Sequence, residues 1–159
     1  MTTKVSVGKV STSNDTISQG SMHDYAIDQM NRLLTTLAFR VHRAAKKPGP
    51  DEIHDLRVSI RRFSQGLQLF ADFFPKWEVK KIRRMLKRMM RLTSSIRDRD
   101  ITLEFLAESH PASSPHSVHR PRLAKERGAY QRQFAEMVRR WSAHDFSAKW
   151  RNGLSLRSV

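Results

Sequence analysis

The chain has 159 residues, and its 30 Lys and Arg against 15 Asp and Glu give a formal net charge of +15. That length suits one domain with a core of its own and is short for two. It contains no cysteine, which excludes disulfide scaffolds, thiolate metal sites and cysteine nucleophiles. No run of about 18 apolar residues is present to span a membrane, so a membrane is not an expected partner. The first twenty residues lack the apolar core of a signal peptide, so a cytoplasmic protein is expected.

Residues 1–21 are rich in Ser and Thr, carry no aromatic residue and hold no sustained period. They are expected to form a disordered arm ahead of a helical domain over 22–159. The first helix is predicted from about His23 to Ala45, on the three-four spacing of Ile27, Met30, Leu34, Leu37 and Val41. Lys46-Lys47-Pro48-Gly49-Pro50 ends it, since Pro-Gly-Pro cannot continue a helix. Pro50 then suits the first turn of the next helix, with Asp51 and Glu52 behind it.

The second helix has the clearest pattern: Ile53, Leu56, Ile60, Phe63, Leu67, Phe70 and Phe74 recur without interruption until Pro75. The third starts near Trp77 and carries Val79, Ile82, Leu86, Met89, Thr93 and Ile96 on one stripe, continuing to about Ala107. Glu108 to Pro121, with three prolines and four serines, is predicted to be a loop. A fourth helix follows, with Leu123, Tyr130, Phe134, Met137 and Trp141 on one face, and then a short one around Phe146 to Leu156. The fold class is all-α, a four-helix bundle.

Charge is concentrated along this chain. Residues 54–99 hold 13 Lys and Arg against 4 Asp and Glu, and residues 120–159 hold 10 against 3. Residues 100–119 hold none against 3. On the second helix His54, Arg57 and Arg61 follow one edge beside the apolar stripe, with Arg62 further round. On the third, Lys80, Arg84, Lys87 and Arg91 align over about 16 Å, opposite the apolar stripe, and Lys81 and Arg88 broaden the row. Lys80 to Arg91 includes no acidic residue. Ordinary solvated faces interleave Glu with Lys at i,i+4, so seven uncompensated cations point to a bound polyanion. Lys125, Arg132 and Arg139 add a heptad-spaced row on the fourth helix.

Arg57 and Arg61 on the same edge disfavour the imidazolium of His54 until an anion binds, so anion binding is expected to take up a proton at about pH 6–7. Asp55 and Glu52 are close enough in sequence to pair with Arg57 and Arg61 instead. Arg97-Asp98-Arg99-Asp100 is expected to form salt bridges within its own helix. Metal binding is not expected, because His110, His116 and His119 belong to a Pro/Ser loop without preorganised geometry. No cofactor motif is present, and no paired carboxylates mark acid–base chemistry. Trp141 and Trp150 fall on apolar faces, while Trp77 at a helix start is expected to be exposed.

His54-Asp55-Leu56-Arg57-Val58-Ser59-Ile60-Arg61-Arg62-Phe63, followed by Leu67 and Phe70, resembles the signature helix of the CHAD family, the conserved histidine α-helical domain. A second block, Leu86-Lys87-Arg88-Met89 through Arg97-Asp98-Arg99-Asp100-Ile101, is similar to the family's other motif, and the likeness covers about residues 25–156. Ser64 stands where a basic residue is frequent, which should weaken an anion site slightly. Thr93-Ser94 stand where the family has Leu-Gly, which puts close helix approach there in doubt. Family members usually hold two four-helix units, so this chain corresponds to one half, either a fragment or a short form that rebuilds the pair as a homodimer. The resemblance implies a non-enzymatic protein that binds inorganic polyphosphate and localises to polyphosphate granules. Its contacts would be His54, Arg57, Arg61, Arg62, Lys80, Arg84, Lys87, Arg88, Arg91 and Arg97. Nucleic acid is the alternative, as a non-specific polyanion, and an enzyme acting on phosphate compounds is a third reading.

Overall fold

In the computed structural model, which describes residues 13–109 and 119–156, the apolar stripes become the seams of a helical bundle. Its helices are α1 (Ser13–Lys46), α2 (Pro50–Leu69), α3 (Lys76–Ser109), α4 (His119–Ala143) and α5 (Phe146–Gly153). A 3₁₀ turn, Ala71–Phe73, joins α2 to α3. Among the described residues there is no strand, and the fold is all-α. Four long helices form a ring in which α1 and α3 each pack against both α2 and α4. The short α5 lies against α1 and α3.

Every apolar residue that the spacing placed on the stripes of α1 and α3 is buried, as are Leu56, Ile60, Phe63 and Leu67 on α2. Burial of each such side chain is worth about 1.5–3 kcal/mol against exposure, so these stripes rather than helix propensity hold the helices in place. Gly66 sets how closely α1 and α2 approach, because a Cβ there would lie 2.8 Å from the Met30 Sδ and 2.9 Å from the Leu33 Cδ1. Pro50 occupies the first turn of α2, where its missing N–H costs nothing, and Gly49 caps it in extended conformation.

Several boundaries differ from the sequence reading. α1 begins at Ser13, so residues 13–21 of the expected arm are helical, while residues 1–12 lie outside the described residues. Adding turns to an established helix needs no new nucleation, whatever the apolar period. The second helix stops at Leu69 and leaves Phe70 and Phe74 to be buried from the 3₁₀ turn and its end. The loop expected from Glu108 shrinks because α3 runs to Ser109 and α4 starts at His119, with Pro121 in its first turn; residues 110–118 lie outside the described residues. On α4 the buried residues are Phe134, Val138 and Trp141, so Val138 takes the seam and Met137 is half-buried.

The fifth helix closes one end through an aromatic cluster. Trp150 stacks on Phe63 with ring centroids 5.7 Å apart and meets Trp141 and Phe146 edge-on at 5.3 and 4.9 Å. Asp145 starts this helix from a left-handed conformation, φ 39°, and accepts hydrogen bonds from the Ser147 hydroxyl and the Ala148 N–H. Those bonds hold its carboxyl below the usual carboxylate range. The cap therefore acts fully above that range and is lost as pH falls through the lowered value. Replacing Trp150→Ala should destabilise the fold by about 3–5 kcal/mol, measured as a shift of the urea midpoint at unchanged m-value.

Candidate functional site

The α2–α3 seam carries the basic residues at issue. Arg57 lies at its centre, half-buried, and its Nη1 donates to Thr93 Oγ1 at 2.9 Å, Ser94 Oγ at 2.9 Å and the Met90 carbonyl at 3.3 Å. Thr93 is fully buried, and its hydroxyl in turn donates to the Met89 and Met90 carbonyls at 3.1 and 3.0 Å. Thr93 and Ser94, where the sequence put close helix approach in doubt, are thus the side-chain acceptors for Arg57, and the helices do meet there. Burial pushes the Arg57 pKa down from its ordinary value, with Arg61 and Arg97 adding to this and Asp98 opposing it. The guanidinium nonetheless remains charged throughout the physiological range.

Around Arg57 lies a recess of about 210 Å³ lined by Pro50, Ile53, His54, Arg57, Arg61, Ile96, Arg97 and Asp100. Four of the sequence-selected residues, His54, Arg57, Arg61 and Arg97, come together here from two helices. Further along the seam is a trough of about 590 Å³ with Ala71, Val79, Leu86 and Met90 as its floor. Lys76, Lys80, Arg83, Arg84 and Lys87 border it, with Ser64 from α2 and Asp72 from the 3₁₀ turn. Met90 lines the trough and its carbonyl accepts from Arg57 of the recess, so one hydrogen bond links the walls of the two hollows. Lys80, Arg84 and Lys87 therefore flank an apolar floor, where the sequence reading had put their row opposite the apolar stripe.

The remaining selected residues are placed differently. Arg88 lines a separate hollow between α3 and α4, with Met85, Gln133, Glu136 and Arg140. Arg62 and Arg91 are exposed and border neither hollow of the α2–α3 seam. Lys125, Arg132 and Arg139 are exposed on α4, which does not adjoin α2 in the ring. Arg83 and Lys76 were missed, although their helical positions put them on the side of Met90 and Val79. Thr93 was assigned to the core stripe, and nothing in the sequence marked it as the partner of Arg57.

Three carboxylates near this seam, Glu52, Asp55 and Asp100, are paired with other helices, whereas Asp72 lines the trough itself. Asp55 pairs with Arg40 of α1 at 2.6 Å and Glu52 with Arg43 of α1 at 3.0 Å, so neither neutralises Arg57 or Arg61. Asp100 pairs with Arg127 of α4. Arg99 reaches Glu126 of α4 at 3.3 Å and lies 4.7 Å from the Tyr130 ring centroid. Arg99 and Asp100 of the Arg97–Asp100 run are therefore bridged to α4 and not within their own helix, while Arg97 lines the recess. Arg122 and Arg99 together hold the Glu126 carboxyl below its usual range. Among the described residues no metal-binding cluster of His, Asp and Glu is present; His119 is described, whereas His110 and His116 lie outside them. Nor is any described helix long and apolar enough to cross a membrane. Trp77 is exposed and lies against the Lys81 ammonium, 5.4 Å from the ring centroid.

These features are those of a basic all-α module whose charged seam is built by one Arg-bearing helix against a second. The chain belongs to the CHAD domain family, whose pattern matches residues 29–157. Comparisons with curated proteins and with solved structures give no match.

Replacing Thr93→Val keeps the volume but removes an acceptor from Arg57 in a buried setting. It should cost about 1–3 kcal/mol, while Thr93→Ser should keep the bond and cost less, both read by denaturant unfolding.

Proposed function

We propose that the chain binds inorganic polyphosphate along the α2–α3 seam and performs no chemistry on it. The observation that carries this reading is the sorting of charge. Cations from two helices line the recess and the trough, five around the trough against one carboxylate, Asp72, while Glu52, Asp55 and Asp100 are paired with α1 or α4. From Lys76 to Arg97 the row of cations on α3 extends about 32 Å, and a linear polyanion would neutralise it in one binding event. Arginine forks and lysine ammonium groups both suit phosphate oxygens. By this reading the contacts are His54, Arg61, Lys80, Arg84, Lys87 and Arg97, joined by Arg83 and Lys76. Arg57 contributes charge and holds the helices at the right separation. Arg62, Arg88 and Arg91 then act only through the general field. The protein would localise wherever polyphosphate collects, such as granules in the cytoplasm.

Two outcomes test this. Reversing Arg61→Glu and Arg97→Glu together should weaken long-chain polyphosphate at least about tenfold and make the salt dependence shallower by about one unit of slope per lost contact. Circular dichroism should remain unchanged, because both residues are exposed. Unaltered affinity in that variant would remove the seam from consideration. Arg57 is a poor choice for charge reversal, since a carboxylate there would face Thr93 and Ser94 oxygens.

The second outcome concerns His54, which shares its recess with Arg57, Arg61, Arg97 and Asp100. His54→Gln keeps a hydrogen-bond donor there and should weaken polyphosphate binding less than His54→Ala does, read in the same titration. The rival reading, a non-specific nucleic-acid surface, predicts that duplex DNA competes with polyphosphate on equal terms per phosphate.

A further inference from the structure

The apolar floor of the trough is a feature that bare polyphosphate does not use. Val79 and Leu86 close the bottom, and Ala71 and Met90 line it half-buried. The methylene stems of the bordering Lys and Arg side chains continue that apolar surface upward. From α2 comes Ser64, whose short side chain leaves its wall open. A phosphate chain has no apolar atoms. Laid on such a floor, its oxygens lose water and gain nothing from the surface beneath them.

Charge around this floor is unbalanced. Lys76, Lys80, Arg83, Arg84 and Lys87 face one carboxylate, Asp72, which leaves a net charge of +4. Among the described residues none of these six is in an ion pair. Asp72 belongs to the 3₁₀ turn that precedes Lys76, so the excess is greatest toward Arg83, Arg84 and Lys87. The volume of about 590 Å³ is in the range of sites for one small organic molecule. From Val79 to Met90 the floor runs about 16 Å along α3, the length of roughly twelve extended carbons.

We propose that the trough binds a single-chain anionic amphiphile, an alkyl or acyl chain with a phosphate head, taken up as a free molecule. The head is met by Arg83, Arg84 and Lys87, and the chain lies on the floor toward Ala71, which keeps the head away from Asp72. Both parts of the ligand are needed: the chain displaces water from the floor, and the head meets the uncompensated cations. This binding does not rest on the polyphosphate reading, but the two ligands share Lys80, Arg84 and Lys87 and therefore compete.

Calorimetric titration with octyl, decyl and dodecyl phosphate, each below its micelle concentration, tests this. One molecule should bind per protein chain, and each added pair of methylenes should tighten binding about tenfold. Decanol, with the chain but not the charge, should bind at least about tenfold more weakly than decyl phosphate. Ala71→Trp, and separately Ser64→Phe, fill the trough from two walls and leave its cations in place. Each should weaken dodecyl phosphate about tenfold or more, with folding verified by circular dichroism. An affinity independent of chain length overturns the proposal, and so does wild-type affinity in either filled variant that folds. Binding to vesicles of phosphatidylserine and phosphatidylcholine without binding to the free alkyl phosphates also overturns it, and assigns the surface to a bilayer. Polyphosphate should displace decyl phosphate, and polyphosphate that binds without displacing it moves the amphiphile off the trough. If polyphosphate does not bind at all, that reading fails while the chain-length series still decides the amphiphile.

Discussion

The contact between Arg57 and the α3 backbone and hydroxyls is the constraint on which the basic seam depends. A guanidinium can donate in only a few directions, and here one terminal nitrogen faces Met90, Thr93 and Ser94 together. That ties the register of α2 to that of α3 within a turn. Everything else in the recess follows: His54 and Arg61 are carried on the same edge of α2, and Arg97 is one turn beyond Ser94 on α3. A hydrogen bond to a charged group is worth roughly 1.5–3 kcal/mol, and leaving one half-buried without acceptors would cost a comparable amount. The residue is therefore a structural element of a site whose ligand contacts are made by its neighbours.

Electrostatics complete what that contact begins. Most of the ion pairs in the bundle are on the surface, where each contributes little to stability. Their larger effect is on where negative charge goes. Arg40 and Arg43 draw Asp55 and Glu52 toward α1, and Arg127 draws Asp100 toward α4. The seam between α2 and α3 is left with its cations uncompensated by those carboxylates, and Asp72 in the trough and Asp98 near Arg57 oppose only part of their field. Compaction of such a chain works against self-repulsion, and the fully buried stripes of four helices are what overcome it.

Much of this was legible before any coordinates. An unbroken three-four spacing over Ile53 to Phe74 leaves no strand alternative, and Pro-Gly-Pro leaves no way to continue a helix. Less legible was α4, where Arg and Glu sit between the apolar residues and a one-residue shift exchanged Met137 for Val138 on the seam. The end of α2 also escaped, because Phe70 and Phe74 keep the apolar period while the backbone tightens into a 3₁₀ turn. Period records which side chains seek the core and not which backbone brings them there.

The sequence by itself determined the helical class, the apolar stripes, the family pattern and the excess of cations on two helices, since all of these are local in the chain. Only the tertiary structure decided which cations share a surface. Arg88 and Lys87 are adjacent in sequence, yet one faces α4 and the other borders the α2 trough, because 100° of helical turn separates neighbours. Likewise Thr93 looks like any half-polar member of a core stripe until α2 places Arg57 against it. Pairing of charges across helices depends on how the helices are rotated in the bundle, and that rotation is fixed by the packing of all the stripes together.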